Sequence, residues 1–207
     1  MSLLTGFTAG LLLITLSELG DKTFFITAIL AMRHPRRWVF VGASAALFTM
    51  TVLSVLLGQV VAVFPQRYVE SVAAALFIGL GLKLLYDALK MSGGHKLAHE
   101  QADAQKEVEQ REKGVMVWSV RAVVLEAFTL VFVGEWGDRT QLATITLAAA
   151  NHPLGVVVGA TLGHAICAAI AVACGKLLVG RISERLLVSV SGALFIFFGM
   201  VTVINMS

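Results

Sequence analysis

The sequence predicts an all-α membrane protein whose six transmembrane helices form two inverted three-helix repeats. Three observations predict it: an apolar composition, six long apolar runs, and a second half that repeats the first. Of the 207 residues, 57% are hydrophobic and only 14% charged, and the mean hydropathy is +0.85. Soluble domains run to about 45–50% apolar and about 25% charged. The lipid bilayer is therefore the expected surrounding, and no nucleic-acid partner is expected. The runs lack the period-two alternation of a transmembrane barrel.

Taken in order, the spans are expected at residues 3–32, 38–64, 68–91, 118–150, 154–179 and 185–205, each long enough for the roughly 20 residues that a crossing needs. No basic residue precedes the first run, and that run continues through Glu18 and Asp21, so it reads as a retained helix rather than a cleaved leader. The first and fourth runs exceed a straight crossing, and a tilt or break is expected at their glycines. Residues 92–114 are rich in Lys, Glu and Asp and read as a solvated linker or a short surface helix. The chain thus divides into a first repeat at 1–91, a linker at 92–117 and a second repeat at 118–207. Cys167 and Cys174, seven residues apart in one helix, lie too far apart for a disulfide.

Basic residues set the orientation. Arg33, Arg36, Arg37, Lys90, Arg121, Lys176, Arg181, Arg185 and the basic residues of the linker fall at one set of helix ends, whereas Arg67 alone falls at the other. By the positive-inside rule the first set is cytoplasmic, which puts both termini in the periplasm of a bacterial inner membrane.

The halves overlay at an offset of 117. Glu18, Gly20, Asp21, Lys22 and Thr23 fall on Glu135, Gly137, Asp138, Arg139 and Thr140, and Gly42-Ala43-Ser44 falls on Gly159-Ala160-Thr161. An odd number of spans per half turns the second half upside down, the architecture of transporters that expose a midplane site alternately to the two sides.

Glu18, Asp21, Glu135 and Asp138 fall near mid-bilayer, where an ionisable side chain costs about 2.5–3.5 kcal/mol and marks an ion or proton pathway. Carboxylate, hydroxyl and carbonyl oxygens suit hard divalent cations, and the motif holds no His or Cys for Zn²⁺ or Cu⁺. Thr23, Thr140, Gln141, Ser17, Ser44 and Thr161 are candidate further oxygens, although membrane hydroxyls commonly bond back to their own backbone. Lys22 and Arg139, four residues after Glu18 and Glu135, are expected either to tune the acids or to pair with them inside one helix. His164 is a candidate proton relay or an interhelical hydrogen bond. Glu126 either guards the inner vestibule or pairs with Arg121. Gly79 and Gly81 read as packing glycines. Four carboxylates against two bases leave a net −2 when all are ionised, which one divalent cation or two protons would cancel.

With these residues in view, the chain resembles the GDT1, or UPF0016, family of TMEM165-like divalent-cation transporters. The resemblance rests on Glu18-Leu19-Gly20-Asp21-Lys22-Thr23, Glu135-Trp136-Gly137-Asp138-Arg139-Thr140, Phe24-Phe25, Glu126 with Phe128, and the run from Gly159 to His164. It implies Mn²⁺ and Ca²⁺ as substrates exchanged for protons, with manganese export in bacterial members, no cofactor and no enzymatic activity. Two other readings stand beside it: an intramembrane hydrolase using paired carboxylates, and a scaffold whose acids form structural ion pairs. No nucleophile motif or His ligand pair accompanies the acids.

Overall fold

The computed structural model describes residues 3–90, 95–112, 119–178 and 184–206, with side chains throughout except at 95–99, 111–112, 174–178, 184 and 205. These residues form helices and no strand: α1 (Leu3–Glu18), α2 (Lys22–Arg33), α3 (Arg36–Val61), α4 (Gln66–Lys90), α5 (His95–Glu112), α6 (Val120–Gly134), α7 (Arg139–Ala150), α8 (Pro153–Leu178) and α9 (Glu184–Met206). The expected boundaries agree to within a few residues, but each of the two long spans is split in two.

Local chemistry explains where the helices run and stop. In α1, Thr8 and Thr15 donate to the carbonyls of Leu4 and Leu11 one turn back, so these two hydroxyls are not left unpaired in an apolar surrounding. α2 ends at His34, whose extended backbone is the conformation a following proline imposes, and Pro35 opens α3. Asn151 and Pro153 repeat this corner between α7 and α8.

Four helices, α3, α4, α8 and α9, are long and apolar enough to cross a membrane, and α1 with α2 counts as a fifth span bent by 66°. The fourth expected span is divided into α6 and α7, of 15 and 12 residues. Neither piece reaches across alone, because the break between them interrupts the apolar run with Glu135, Asp138 and Arg139. Large apolar side chains stand exposed around the outside, among them Leu89, Leu125 and Ile204. Such a surface would aggregate in water, but it suits lipid.

Packing follows small residues. Gly159 and Gly163 of α8 face the backbone of α1, Gly42 and Gly58 of α3 face α6 and α7, and Gly81 of α4 faces Gly192 and Ile196 of α9. Lipid gives helices no hydrophobic drive to associate, so this close backbone approach supplies the packing that does. A Cβ on Gly42 would stand 2.5 Å from the Val124 carbonyl oxygen and 2.8 Å from the Ala127 methyl, whereas one on Gly79 meets nothing within 4 Å. Gly79 is therefore not the packing glycine that its sequence context suggested. Gly42→Ala is expected to destabilise the bundle by about 1–3 kcal/mol, the usual cost of overpacking. Gly79→Ala is the control and should not lower the thermal midpoint in detergent, because an open helical position favours alanine over glycine.

The linker is more than a solvated connection. α5 packs along α2, and its Ala104 and Val108 are fully buried in the same apolar cluster as Phe24, Phe25 and Ile29. Lys96 and Lys113 of the linker, like Cys174, Lys176 and Arg181, have side chains outside the described residues.

Candidate cation site at two broken helices

The two motifs break their helices in the same way. Gly20 and Gly137 have φ of 81° and 84°, in the left-handed region that a Cβ disfavours by about 1–2 kcal/mol. α1 ends at Glu18, α6 ends just before Glu135, and Asp21 and Asp138 become the N-caps of α2 and α7. Each Glu thus sits at the negative end of a helix dipole and each Asp at a positive end. A Glu at such an end is favoured by a nearby cation or by a proton.

The breaks bring the two halves together. Carboxylate oxygens of Glu18, Asp21 and Glu135 lie within 4.8 Å of one another, with Glu18 and Glu135 each 3% exposed. Oε1 of both glutamates is buried with no hydrogen-bond partner. Buried carboxylate oxygens are costly to leave unpaired, so these two are the atoms best placed to receive an ion. Ser17, 4% exposed and with an unpartnered hydroxyl, lines a cavity of about 30 Å³ with Gly20, Asp21, Glu100 and Arg139, room for a water or one ion.

Not every expected ligand joins. Asp138 is outside this triad: its Oδ2 accepts the Thr140 backbone N–H at 3.1 Å and the Thr140 hydroxyl at 3.0 Å. A hydroxyl has one proton, so Thr140 at 3.4 Å from Glu135 serves Asp138 first. Thr23 donates to Glu18 Oε2 at 3.3 Å. Gln141 spends its side-chain oxygen on the Gly137 N–H at 2.7 Å and braces the second break rather than facing the acids. Ser44 and Thr161, at matched positions of α3 and α8, keep buried oxygens with no partner, as does Nδ1 of His164. His164 lies within electrostatic reach of Asp138. Glu126 is buried with His34 Nε2 at 3.7 Å from its Oε2, a partner on the α2–α3 corner that spacing alone did not suggest.

Of the two roles open to Lys22 and Arg139, pairing within one helix at i,i+4 is not seen, because the break removes the continuous helix that such spacing requires. Arg139 instead crosses to the other half and bonds Asp21 Oδ1 at 2.8 Å, while Lys22 meets Glu107 of α5 at 2.5 Å. Sequence reasoning also missed the caps on the end of α1. The Cys167 thiol donates to the Thr15 carbonyl and the Ser191 hydroxyl to that of Leu16, satisfying last-turn carbonyls. Glu100 and Glu107 were legible only as linker charge, although their seven-residue spacing beside Ala104 and Val108 marks one helical face.

Gly137→Ala is expected to leave the protein inserted and to lower cation transport at least tenfold. The Cβ meets no neighbour at that position, so its whole effect is backbone strain at the break that presents Glu135. A normal rate in Gly137→Ala proteoliposomes would show that the left-handed turn is dispensable.

Apolar membrane helices broken at a buried triad of acids define an integral membrane protein with a candidate cation site lined by oxygens. Comparison with known proteins gives the family. The family model described as "Divalent cation/proton antiporter GDT1" matches residues 6–92 and 123–207, and the chain belongs to that family. It is 52% identical over 204 residues to GDT1-like protein sll0615 of Synechocystis sp., covering 97% of both chains. It is 41% identical to GDT1-like protein 5 of Arabidopsis thaliana, over 96% of this chain and 95% of that one. It is also 41% identical to GDT1-like protein 3 of Oryza sativa subsp. indica, over 93% of this chain and 71% of that one. No solved structure matches the chain.

Proposed function

We propose that this protein exports Mn²⁺, and Ca²⁺ as a second substrate, across a bacterial inner membrane in exchange for protons, by alternating access at one carboxylate site. The observation that carries the reading is the triad of Glu18, Asp21 and Glu135, drawn from both halves and buried with unpartnered oxygens. Hard oxygen ligands favour Mn²⁺ and Ca²⁺ over Zn²⁺ or Cu⁺. The cation is the substrate and no cofactor is invoked.

The architecture proposed is six spans in two inverted repeats, residues 1–91 and 118–207, joined by a cytoplasmic linker at 92–117. Its support is the matched series of helix lengths, 16, 12, 26 and 25 residues in α1–α4 against 15, 12, 26 and 23 in α6–α9. The pairing of α1 with α8 and of α6 with α3 adds to it. In this scheme α6 with α7 is the broken counterpart of α1 with α2.

Exchange follows from charge. The triad with Arg139 carries −2 when ionised, before the nearby Asp138 is counted, and an uncompensated charge of at least that size is costly in a low-dielectric interior. The halves therefore rock only when one divalent cation or about two protons neutralise the site. Asp138 becomes a ligand when the second half takes the conformation now held by the first, Ser44 and Thr161 offer further oxygens, and His164 serves the proton path. Reconstituted protein with a panel of divalent cations is the test. An imposed pH gradient alone should drive Mn²⁺ and Ca²⁺ uphill; flux that ignores the gradient but requires sodium would remove the proton arm.

A further inference from the structure

Lys22 and Arg139 hold the same place in the two motifs, yet they meet different partners. Arg139 bonds Asp21 of the other half. The matching bond for Lys22 would go to Asp138, but Asp138 is engaged by Thr140 and the Lys22 ammonium sits on Glu107. Glu107 belongs to α5, which lies between the halves and outside the repeat. Its register is fixed by more than this bond. Ala104 and Val108 are fully buried against α2, and Arg33 approaches Glu109 at 3.7 Å. The linker helix therefore delivers one carboxylate to the only motif base that does not cross between the halves.

We propose that Glu107 is a positioning residue: by holding Lys22 away from Glu18, Asp21 and Glu135, it keeps the site at a charge that favours a divalent cation. The inference rests on the cation-exchange reading above. With Lys22 held by Glu107, the triad and Arg139 carry −2. A released Lys22 is next to Asp21 in sequence and has a flexible four-carbon stem. Folded back toward the acids, it cancels one of the negative charges there, to which Glu100 of the same cavity wall also contributes, and competes with a divalent cation for the carboxylates. An ammonium a few ångströms from a divalent ion opposes binding strongly even at the effective dielectric of a partly solvated site.

Mn²⁺ affinity measured by calorimetry on the purified full-length chain in nanodiscs tests this. Glu107→Gln should weaken Mn²⁺ binding at least tenfold. Adding Lys22→Gln to it should recover at least tenfold, because there is no longer an ammonium to fall into the site. Glu109→Gln, which removes a docking contact of α5 without releasing Lys22, should bind as the parent does. A Glu107→Gln protein of parental affinity overturns the proposal. So does a double variant as weak as Glu107→Gln, because loss of α5 docking would then explain the defect. A parent chain that binds neither Mn²⁺ nor Ca²⁺ overturns the site reading itself, a result distinct from an indifferent Glu107.

Discussion

Glu18→Gln and Glu135→Gln are each expected to abolish cation transport, with rates at least a hundredfold below the parent, while the protein still inserts and folds. A glutamine keeps the side-chain shape and one oxygen but removes the charge. A loss of about 2.7 kcal/mol in binding is already a hundredfold, and replacing a charged ligand of a divalent ion by a neutral one exceeds that. The fold should not suffer. Three carboxylates crowded within 4.8 Å in a buried site oppose folding of the empty protein through desolvation and mutual repulsion. Each substitution relieves part of that cost where the acids are ionised, so the thermal midpoint of the cation-free protein at alkaline pH should rise as transport disappears. A fall in the midpoint would mean that the acids act as structural partners, the scaffold reading of the motif.

Arg139→Gln is expected to have the next largest effect, and in a different direction. Arg139 joins the halves through Asp21 at 2.8 Å, with side chains 26% and 13% exposed. Removing one partner of a fully buried pair costs about 3–5 kcal/mol, and the partial exposure here brings the cost below that range. The freed Asp21 leaves the triad at −3, so Mn²⁺ should bind more tightly. The loaded site then keeps a charge of −1 and resists passage through its closed state, so turnover should fall at least tenfold. Calorimetry and initial rates separate the two effects. Weaker Mn²⁺ binding in Arg139→Gln would show that the guanidinium organises the ligands rather than balancing their charge.

The sequence made the helices legible because long apolar runs and proline corners are local signals. The breaks were legible too, since Gly20 and Gly137 sit where acids and bases interrupt an apolar run, and only glycine adopts a positive φ there without strain. The same break decides between the two roles open to the motif bases. Glu18 and Lys22 are four apart in sequence, but the turn at Gly20 removes the helical face they would share, and Lys22 meets Glu107 of α5 while Glu18 accepts from Thr23. Asp138 was grouped with the other acids by repeat symmetry. The structure departs from that symmetry because Asp138 caps α7 through Thr140, whereas Asp21 makes no such cap and turns to Arg139. The buried face of α5 was hidden in a linker whose charge dominates its composition, with Ala104 and Val108 among the few apolar residues that mark it.

The proposed exchange requires one buried cluster to hold either a divalent cation or protons. The most direct measurement is proton release when Mn²⁺ is added to the purified protein in weakly buffered solution. Metal binding to carboxylates that carry protons must expel them, and the charge of the site sets the expected number at about two per Mn²⁺ bound near neutral pH. Glu18→Gln should release fewer and bind poorly. Stoichiometric Mn²⁺ binding with no proton release at any pH between about 5 and 8 would contradict the account, because cation and proton would then have no shared site through which to exchange.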